Sequence, residues 1–494
     1  MTATNRVRVA SIREVTLGTT PNTPRMRTRR FTGESIKFTP GFVDSDQIRS
    51  DRMNVDSILV STVSSGGLNA ELAFPVHKSG ESEDICSAFC ADWTTTPWHD
   101  NDGTADSSIT DAGTSANTYA VADQSGSGGY AGTAYKANML VQASGFTNAA
   151  NNQVFAVASS TATTVLGTAL SLTAEAAPPA TARLKVVGFQ GASGDVTATS
   201  TGLASSALDF TTLGLAVGQW IKIGGSAAGN KFATAACTGW ARITAIAAHA
   251  LTLDNKPTGW TTDAGTGKTV RCFFGDRIAN GTTLISQSIE KGYLGQTVPT
   301  YVMSTGMVVD QYSLSVSAGQ KITYSVAYKG MGGSQGTAAN GTSYDAMTST
   351  PVMAAGANVN GIQEYGSALS SPNWVRDLKL QIANNIRTVM AVDSIAPVDQ
   401  RYGECTVTGS LSAYFGDNSI LTRFFAGTPT SLSSKVVKNG QAVVLQIPRA
   451  TYNGGGDAFA QAKNQDVSLN LSFKASYDSV TGAQVMMDRL EYVE

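Results

Sequence analysis

Charge is scarce in this 494-residue chain: only 15% of residues are Asp, Glu, Lys or Arg, against about 25% in an ordinary soluble domain. The net charge is −2, which excludes a general binder of nucleic acid or anionic membrane, since either needs a cationic excess. Histidine is rarer still. With only His77, His99 and His249 available, a serine triad has few ways to assemble, and none of the three lies in a recognisable catalytic setting. Five cysteines, Cys86, Cys90, Cys237, Cys272 and Cys405, form no disulfide framework, and the odd count fits a reducing compartment. Cys86 and Cys90 lie four apart on an expected helix without a nearby histidine, so they read as small buried hydrophobes. No apolar run approaches the ~20 residues that span a bilayer. The N-terminus has arginine where a signal peptide would place its apolar segment. The expectation is a soluble, cytosolically made protein with no membrane insertion.

What is abundant is glycine, at 50 residues, with Ser, Thr, Ala and Asn filling much of the remainder. That is an all-β, turn-rich composition. The length exceeds what one hydrophobic core normally supports, so two or more domains are expected. Charge is also uneven. Residues 1–30 hold seven arginines (Arg6, Arg8, Arg13, Arg25, Arg27, Arg29, Arg30) against Glu14, a charge of +6, which leaves −8 for the rest of a chain at −2 overall. A basic arm and an acidic body suit head-to-tail contact between copies, and they equally suit a solvated tail.

Residues 34–63, ESIKFTPGFVDSDQIRSDRMNVDSILVSTV, hold the sharpest signal. Ser35–Phe38 and Ser57–Val60 alternate as half-buried strands do. The loop between them is far longer than a hairpin needs and carries Asp44, Asp46, Arg49, Asp51 and Arg52. Phe42, Val43, Ile48 and Met53 interleave with those charges, a composition a disordered loop would have little reason to carry. The stretch reads as a surface ordered by something it binds.

Further along, Leu68–Phe74 reads as a strand, and Ser82 can cap a short helix over Glu83–Asp92 whose Ile85, Phe89 and Trp93 share one face. Residues 94–129 are poor in aliphatics and read as a linker or large surface loop marking a domain boundary. Two weakly similar modules follow. One contains Met139–Phe146, Val154–Val157 and Leu170–Leu172; the other contains Trp220–Gly225, Ala241–Ile246 and Ala250–Leu253. Each runs strand, polar loop, strand, turn, strand, the pattern of a small curled β-module duplicated in tandem. From Ile278 the style of the first block returns, with strands at Thr300–Met303, Gln311–Val316, Lys321–Tyr328, Trp374–Ile382, Thr406–Tyr414, Ala442–Ile447, Val467–Ala475 and Gln484–Tyr492. The division is a first part over 1–93, an insertion over 94–277 with modules near 130–190 and 208–275, and a second part over 278–494.

Three motifs invite chemistry and are weak. Gly265-Thr266-Gly267-Lys268-Thr269 lacks the first P-loop glycine, which is Thr262, and leads into the strand-like Val270–Phe274 rather than a helix. Gly332-Gly333-Ser334-Gln335-Gly336 matches a hydrolase elbow without the helix that must follow. Asp100–Asp106 has carboxylates at alternate positions but departs from the full calcium-loop pattern, so a solvated acidic turn is the default. No catalytic residue, metal or cofactor is expected.

Together, TPNTP, Phe31-Thr32-Gly33, VDSDQIRSDR, Gly67–Leu72, the helix ending in Trp93, GMVVDQYSLSVSAGQKITYSVAYKGMGG, Thr408–Leu411 and Asp417–Phe425 resemble the tail tube (major tail) proteins of long, non-contractile-tailed bacteriophages. The resemblance covers about residues 10–93 and 285–494. It implies a β-sandwich or barrel of two packed antiparallel sheets with a flanking helix, six copies per ring, and rings stacked into a hollow virion tail assembled in the host cytoplasm. Phage DNA would pass through the lumen without specific binding. A tape measure protein inside the tube, and tail terminator and distal tail proteins at its ends, would be the other partners. The loop at Gly41–Asn54 (Phe42, Val43, Asp44, Asp46, Ile48, Arg49, Asp51, Arg52, Met53) would reach the neighbouring ring, with Arg25, Arg27, Arg29 and Arg30 of the N-terminal segment adding contacts. The lumen should be acidic or neutral. The inserted modules would be adhesive or inert. The alternative is a receptor-binding or carbohydrate-binding β-rich tail or spike protein, although Trp93, Trp98, Trp220, Trp240, Trp260 and Trp374 stand singly with no acidic pair beside them.

Overall fold

In Thr323–Lys329 the side chains alternate, and Tyr324, Val326 and Tyr328 are buried while the residues between them stay accessible. The same pleat governs the whole first sheet in a computed structural model that describes residues 3–102, 109–115, 117–127, 129–458 and 463–494. Seven antiparallel strands follow one another: Ser57–Glu71, Thr323–Lys329, Thr300–Ser317, Val375–Ala383, Thr406–Tyr414, Ser468–Ala475 and Gln441–Ala458. Register lines up one cross-strand row of Leu68, Val326, Tyr312, Ile382 and Val407, every member buried. Beyond Gln441–Ala458 the sheet continues through Thr430–Lys438 to Val359–Glu364.

Thr300–Ser317 is one 18-residue strand where two shorter ones were expected. Its first half pairs with Gln287–Tyr293 and Gly332–Gly336, and its second half with strands of the row above. It therefore ties a second layer, in which Val7–Arg13 pairs Gln287–Tyr293 and Arg25–Thr28, to the first. The architecture is all-β, with three short α-helices among the described residues: α1 Gly80–Phe89, α2 Ala355–Asn358 and α3 Ser419–Ala426. Neither α2 nor α3 is among the elements expected from the sequence.

Helix α1 begins earlier than the spacing suggested. Ser79, not Ser82, is the cap: its side chain accepts the Ser82 N–H at 3.2 Å. Cys90 in the left-handed region (φ 49°) ends the helix, so Trp93 lies beyond it. Ile85, Ala88 and Phe89 enter the core. Asp84, fully buried, accepts hydrogen bonds from Tyr328 Oη (2.7 Å) and Gln287 Nε2 (3.0 Å) and pairs with the Arg29 guanidinium.

Strands between Trp98 and Phe273 form a separate thirteen-stranded sheet with its own apolar core. The chain leaves and re-enters the first body at one bridge, where Thr94 and Arg277 exchange both backbone hydrogen bonds. The described residues of 94–129 are more than a linker: Ile109, Ala112, Tyr119 and Val121 sit in two strands of this sheet and are buried. Small side chains on short strands hid them. The two module patterns are mirrored in the pairing. Met139–Ser144 pairs Val154–Ser160 as Trp220–Ile223 pairs Gly239–Ala247, and Arg183–Gln190 meets Arg271–Phe273 between them. In the first module the third strand is Thr164–Gly167; Leu170–Leu172 is not a strand. Each module uses one carboxylate as a staple: Glu175 accepts the Thr147 and Asn148 N–H groups, and Asp263 those of Thr234 and Gly265.

The two bodies meet through Leu140, Val187, Trp220 and Phe273 on one side and Ala442, Val444, Leu490 and Val493 on the other. Buried Asp276 accepts from Lys185 Nζ (2.6 Å) and Arg489 Nε (2.9 Å). Burial alone would raise its pKa, but Lys185 and Arg489 hold the carboxyl well below the usual carboxylate range.

Replacing Asp84 by alanine strands the Arg29 guanidinium in the core. Asp84→Ala should lower unfolding free energy by about 3–5 kcal/mol, read as a shift of the urea midpoint at unchanged m-value. A paired Arg29→Met/Asp84→Leu chain should recover much of the loss.

Candidate functional site

Lys37–Asp44 and Ser57–Glu71 form a long antiparallel hairpin whose pairing runs out to Asp44 and Ser57. The connecting loop is thus 45–56, shorter than the Gly41–Asn54 loop expected. The reason is local: Phe42 faces Leu59 and Val43 faces Ile58, apolar cross-strand pairs that extend the ladder. Only Ser65–Glu71 of the second strand pairs Thr323–Lys329, so the distal hairpin projects as a two-stranded arm. At the base of the arm Gly66 (φ 129°) allows the kink, since a side chain there would collide with the Ser35 carbonyl.

Along the arm alternation fails. Ile58, Leu59 and Val60 are consecutive, so they point to both faces, yet they are 52%, 41% and 45% exposed. Phe42, Val43, Ile48 and Met53 are exposed as well. An isolated two-stranded ribbon is only marginally stable, and a ribbon apolar on both faces requires cover on both. At the tip Asp44, Asp46, Arg49, Asp51 and Arg52 are exposed. Arg49 Nη2 lies 2.5 Å from Asp51 Oδ2, and this hydrogen bond, with that from the Met53 N–H, lowers the Asp51 pKa. Arg52 holds a positive φ of 62° after the turn closed by Arg52 N–H to Arg49 O.

A second arm lies beside the first. Arg387–Val389 and Asp399–Arg401 pair as a small hairpin, and Ile395 O accepts the Thr62 N–H at 2.7 Å. Val389, Met390, Val392, Ile395 and Val398 are exposed, continuing the apolar surface. Sequence reasoning missed this arm. Its signal was an aliphatic run, Val389-Met390-Ala391-Val392, followed by Ile395 and Val398, that belongs to no expected strand.

The basic arm behaves differently. Arg29 is 3% exposed and pairs with Asp84, Ser11 and Gln287, which makes it a core residue and not a surface contact. Arg25 pairs with Asp345 (2.7 Å), Arg27 with Glu83 (3.6 Å), and Arg30 donates to Thr350 O (2.6 Å). Arg8 and Arg13 pair with Glu290 and with Asp92 and Glu83. Five of the seven arginines are thus paired with the chain's own acids, while Arg6 and Arg30 donate to carbonyl oxygens.

The motifs with chemical overtones lie in ordinary settings. Gly332–Gly336 is a strand paired with Tyr301–Thr305, not an elbow. Lys268 Nζ donates to Ala228 O (3.0 Å), and the segment leads into the strand Arg271–Phe273. His99 uses both ring nitrogens, on Tyr135 Oη and Ala122 O. His77 is driven well below its ordinary pKa by burial and by Arg489, and His249 sits against Leu208 O. No group of acids, histidines and cysteines among the described residues could hold a metal ion; Gly103–Asp106 of the acidic loop lie outside them. No helix among the described residues is long and apolar enough to cross a membrane. Of the tryptophans only Trp374 is largely exposed.

A family model described as phage tail tube protein matches residues 4–238 and 224–475. No curated protein matches the chain.

Surface substitutions on the arm should leave the fold intact. Phe42→Ser/Leu59→Ser/Val392→Ser should bind less of a hydrophobic dye than the unsubstituted chain, with each change shifting stability by less than about 0.5 kcal/mol. Dye fluorescence and thermal denaturation, measured together, check both halves.

Proposed function

The chain belongs to the phage tail tube protein family, and from that premise we propose that six copies close into a ring and that rings stack into the hollow tail of a long, non-contractile-tailed phage, the conduit for its DNA. As a member of that family it is a structural component of a virion tail; no catalytic step enters the proposal. The observation that carries it is the projecting arm, apolar on both faces and uncovered by its own chain. Burying one such half-exposed side chain is worth on the order of 1 kcal/mol, so several together supply a substantial drive to association.

The inter-ring contact set is Phe42, Val43, Asp44, Asp46, Ile48, Arg49, Asp51, Arg52 and Met53. Arg25, Arg27 and Arg30 are accessible enough to add rim contacts, and Arg29 is withdrawn from the set. The tip charges set register and partner choice more than affinity. An arm that docks on a different surface of the next copy makes a heterologous contact, which closes into a ring or propagates as a filament. Residues 1–93 and 278–494 are the tube body, and 94–277 is an outer module. A tape measure protein in the lumen, and terminator and distal tail proteins at the ends, complete the assembly in the host cytoplasm.

Negative-stain microscopy of the concentrated protein should show sixfold rings or uniform tubes; a strictly monomeric or trimeric particle would sink the reading. Arg49→Glu/Arg52→Glu should fold normally and fail to stack. A normal tube yield from that variant would remove the tip from the mechanism.

A further inference from the structure

The strands Val375–Ala383 and Thr406–Tyr414 pair along nearly their whole length, and each end of that pair carries an exposed apolar feature. At one end Ala383 leads into the second arm, which returns to Thr406. Val392 lies between the two strands of that arm and is as exposed as a free side chain, at 110%, with Met390 and Ile395 half exposed beside it. At the other end Trp374 precedes the first strand and Phe415 follows the second. They line an open hollow of about 410 Å³ together with Pro372, Tyr414 and Asp466.

The backbone around this hollow is firmly held. Asn373, 6% exposed, accepts the N–H groups of Gly416 (2.9 Å) and Asp417 (3.1 Å), and its Nδ2 donates to Asp417 Oδ1 at 2.9 Å. Gly416 lies so close to Pro372 that a side chain there would strike it. The Tyr414 N–H donates to Trp374 O at 2.9 Å. Trp374 nevertheless remains 56% exposed. A tryptophan on a rigid base with its surface left to water has the character of a binding anchor, since it brings large contact area at small entropic cost.

Charge is complementary at the two ends. Arg376, two residues along from Trp374, is exposed; its guanidinium lies 5.7 Å from the Tyr414 ring centroid, and Nη1 donates to Ser468 Oγ. Asp393, next to Val392, is exposed as well. Neither forms an ion pair among the described residues. A sugar would need several convergent polar groups beside the ring, and Asp466 is the only charged side chain lining the hollow among the described residues.

We infer that the second arm of one copy docks head-to-tail on the Trp374 hollow of the next, with Val392 entering the hollow and Asp393 meeting Arg376. The inference rests on the stacked-copy reading above and adds a contact that the reading, built on the first arm, does not contain. Arm and hollow bracket a nine-residue strand, a separation of about 30 Å, so one copy cannot satisfy both from itself. The contact is heterologous and repeats along the strand direction. Burial of Trp374 and Val392 supplies its apolar drive, and the Asp393–Arg376 pair selects register more than strength.

Intrinsic fluorescence reads this contact, because Trp374 is the one tryptophan largely exposed in the free chain. Emission should move to shorter wavelength as tubes form, and Trp374→Phe tubes should form without that shift. Trp374→Ala and Val392→Ser should each raise the protein concentration at which tubes appear about tenfold or more, while melting as the unsubstituted chain does. Asp393→Arg and Arg376→Asp should each weaken assembly, and the chain carrying both should regain it, a rescue that a folding defect would not give. Tubes that form from Trp374→Ala and Val392→Ser at the usual concentration, or that leave the emission unchanged, would overturn the inference and leave the tube reading standing. Failure of the paired charge variant to recover would overturn it too. Absence of tubes or rings under every condition would overturn the tube reading itself, and this contact with it. Oligosaccharide binding by the free chain that Trp374→Ala abolishes would assign the hollow to a sugar and make the inference wrong.

Discussion

A β-strand sends successive side chains to opposite faces, and nearly every feature of this molecule follows from how strictly each strand obeys that rule. Where alternation is clean, one face becomes core and the other is free to be chosen for something else. In the row through Leu68, Val326, Tyr312, Ile382 and Val407 the apolar half closes the interior. The adjoining row on the other face is Asn69, Ser325, Ser313, Gln381 and Thr408. Where alternation fails, at Ile58-Leu59-Val60, the ribbon has no face left to offer water, and its own chain does not cover it. The arm therefore keeps apolar side chains that its own chain does not bury.

Charge is handled by the same economy. With so few ionisable groups, the buried ones fix geometry. Asp84 joins helix α1 to strands of both layers through Arg29, Gln287 and Tyr328. Asp276 joins the inserted sheet, through Lys185, to the C-terminal strand Met486–Leu490, through Arg489. Trp220 adds an indole hydrogen bond to Gln446 and a backbone hydrogen bond to Asp488 across the same seam. Buried ion pairs and a shared apolar seam thus hold the inserted sheet against the body.

Legibility in the sequence tracked local contrast. Thr406–Tyr414 could be read to the residue because Val407, Leu411 and Ala413 fall at even spacing between polar positions, with only Gly409 interrupting the pattern. The strands Ile109–Ala112 and Thr118–Val121 could not, because small residues carry their pattern and a distant apolar core completes it. The first arm was visible through its conflict of charged and apolar residues. The second was not, because its meaning depends on lying beside Thr62, more than three hundred positions away. The basic N-terminal arm misled for a related reason: charge in a sequence does not say where its partner sits. Arg25 finds Asp345, and Arg8 finds Glu290.

By itself the sequence determined the class of fold, the apolar face of each strand with clean alternation and the one segment in which charged and apolar residues interleave. These are properties of periodicity and composition, which act over a few residues. Only the tertiary structure decided which arginines are spent inside and that a second arm joins the first. Those depend on pairing between segments far apart in the chain, and cross-strand register is set by the closing of the whole sheet rather than by any stretch of it.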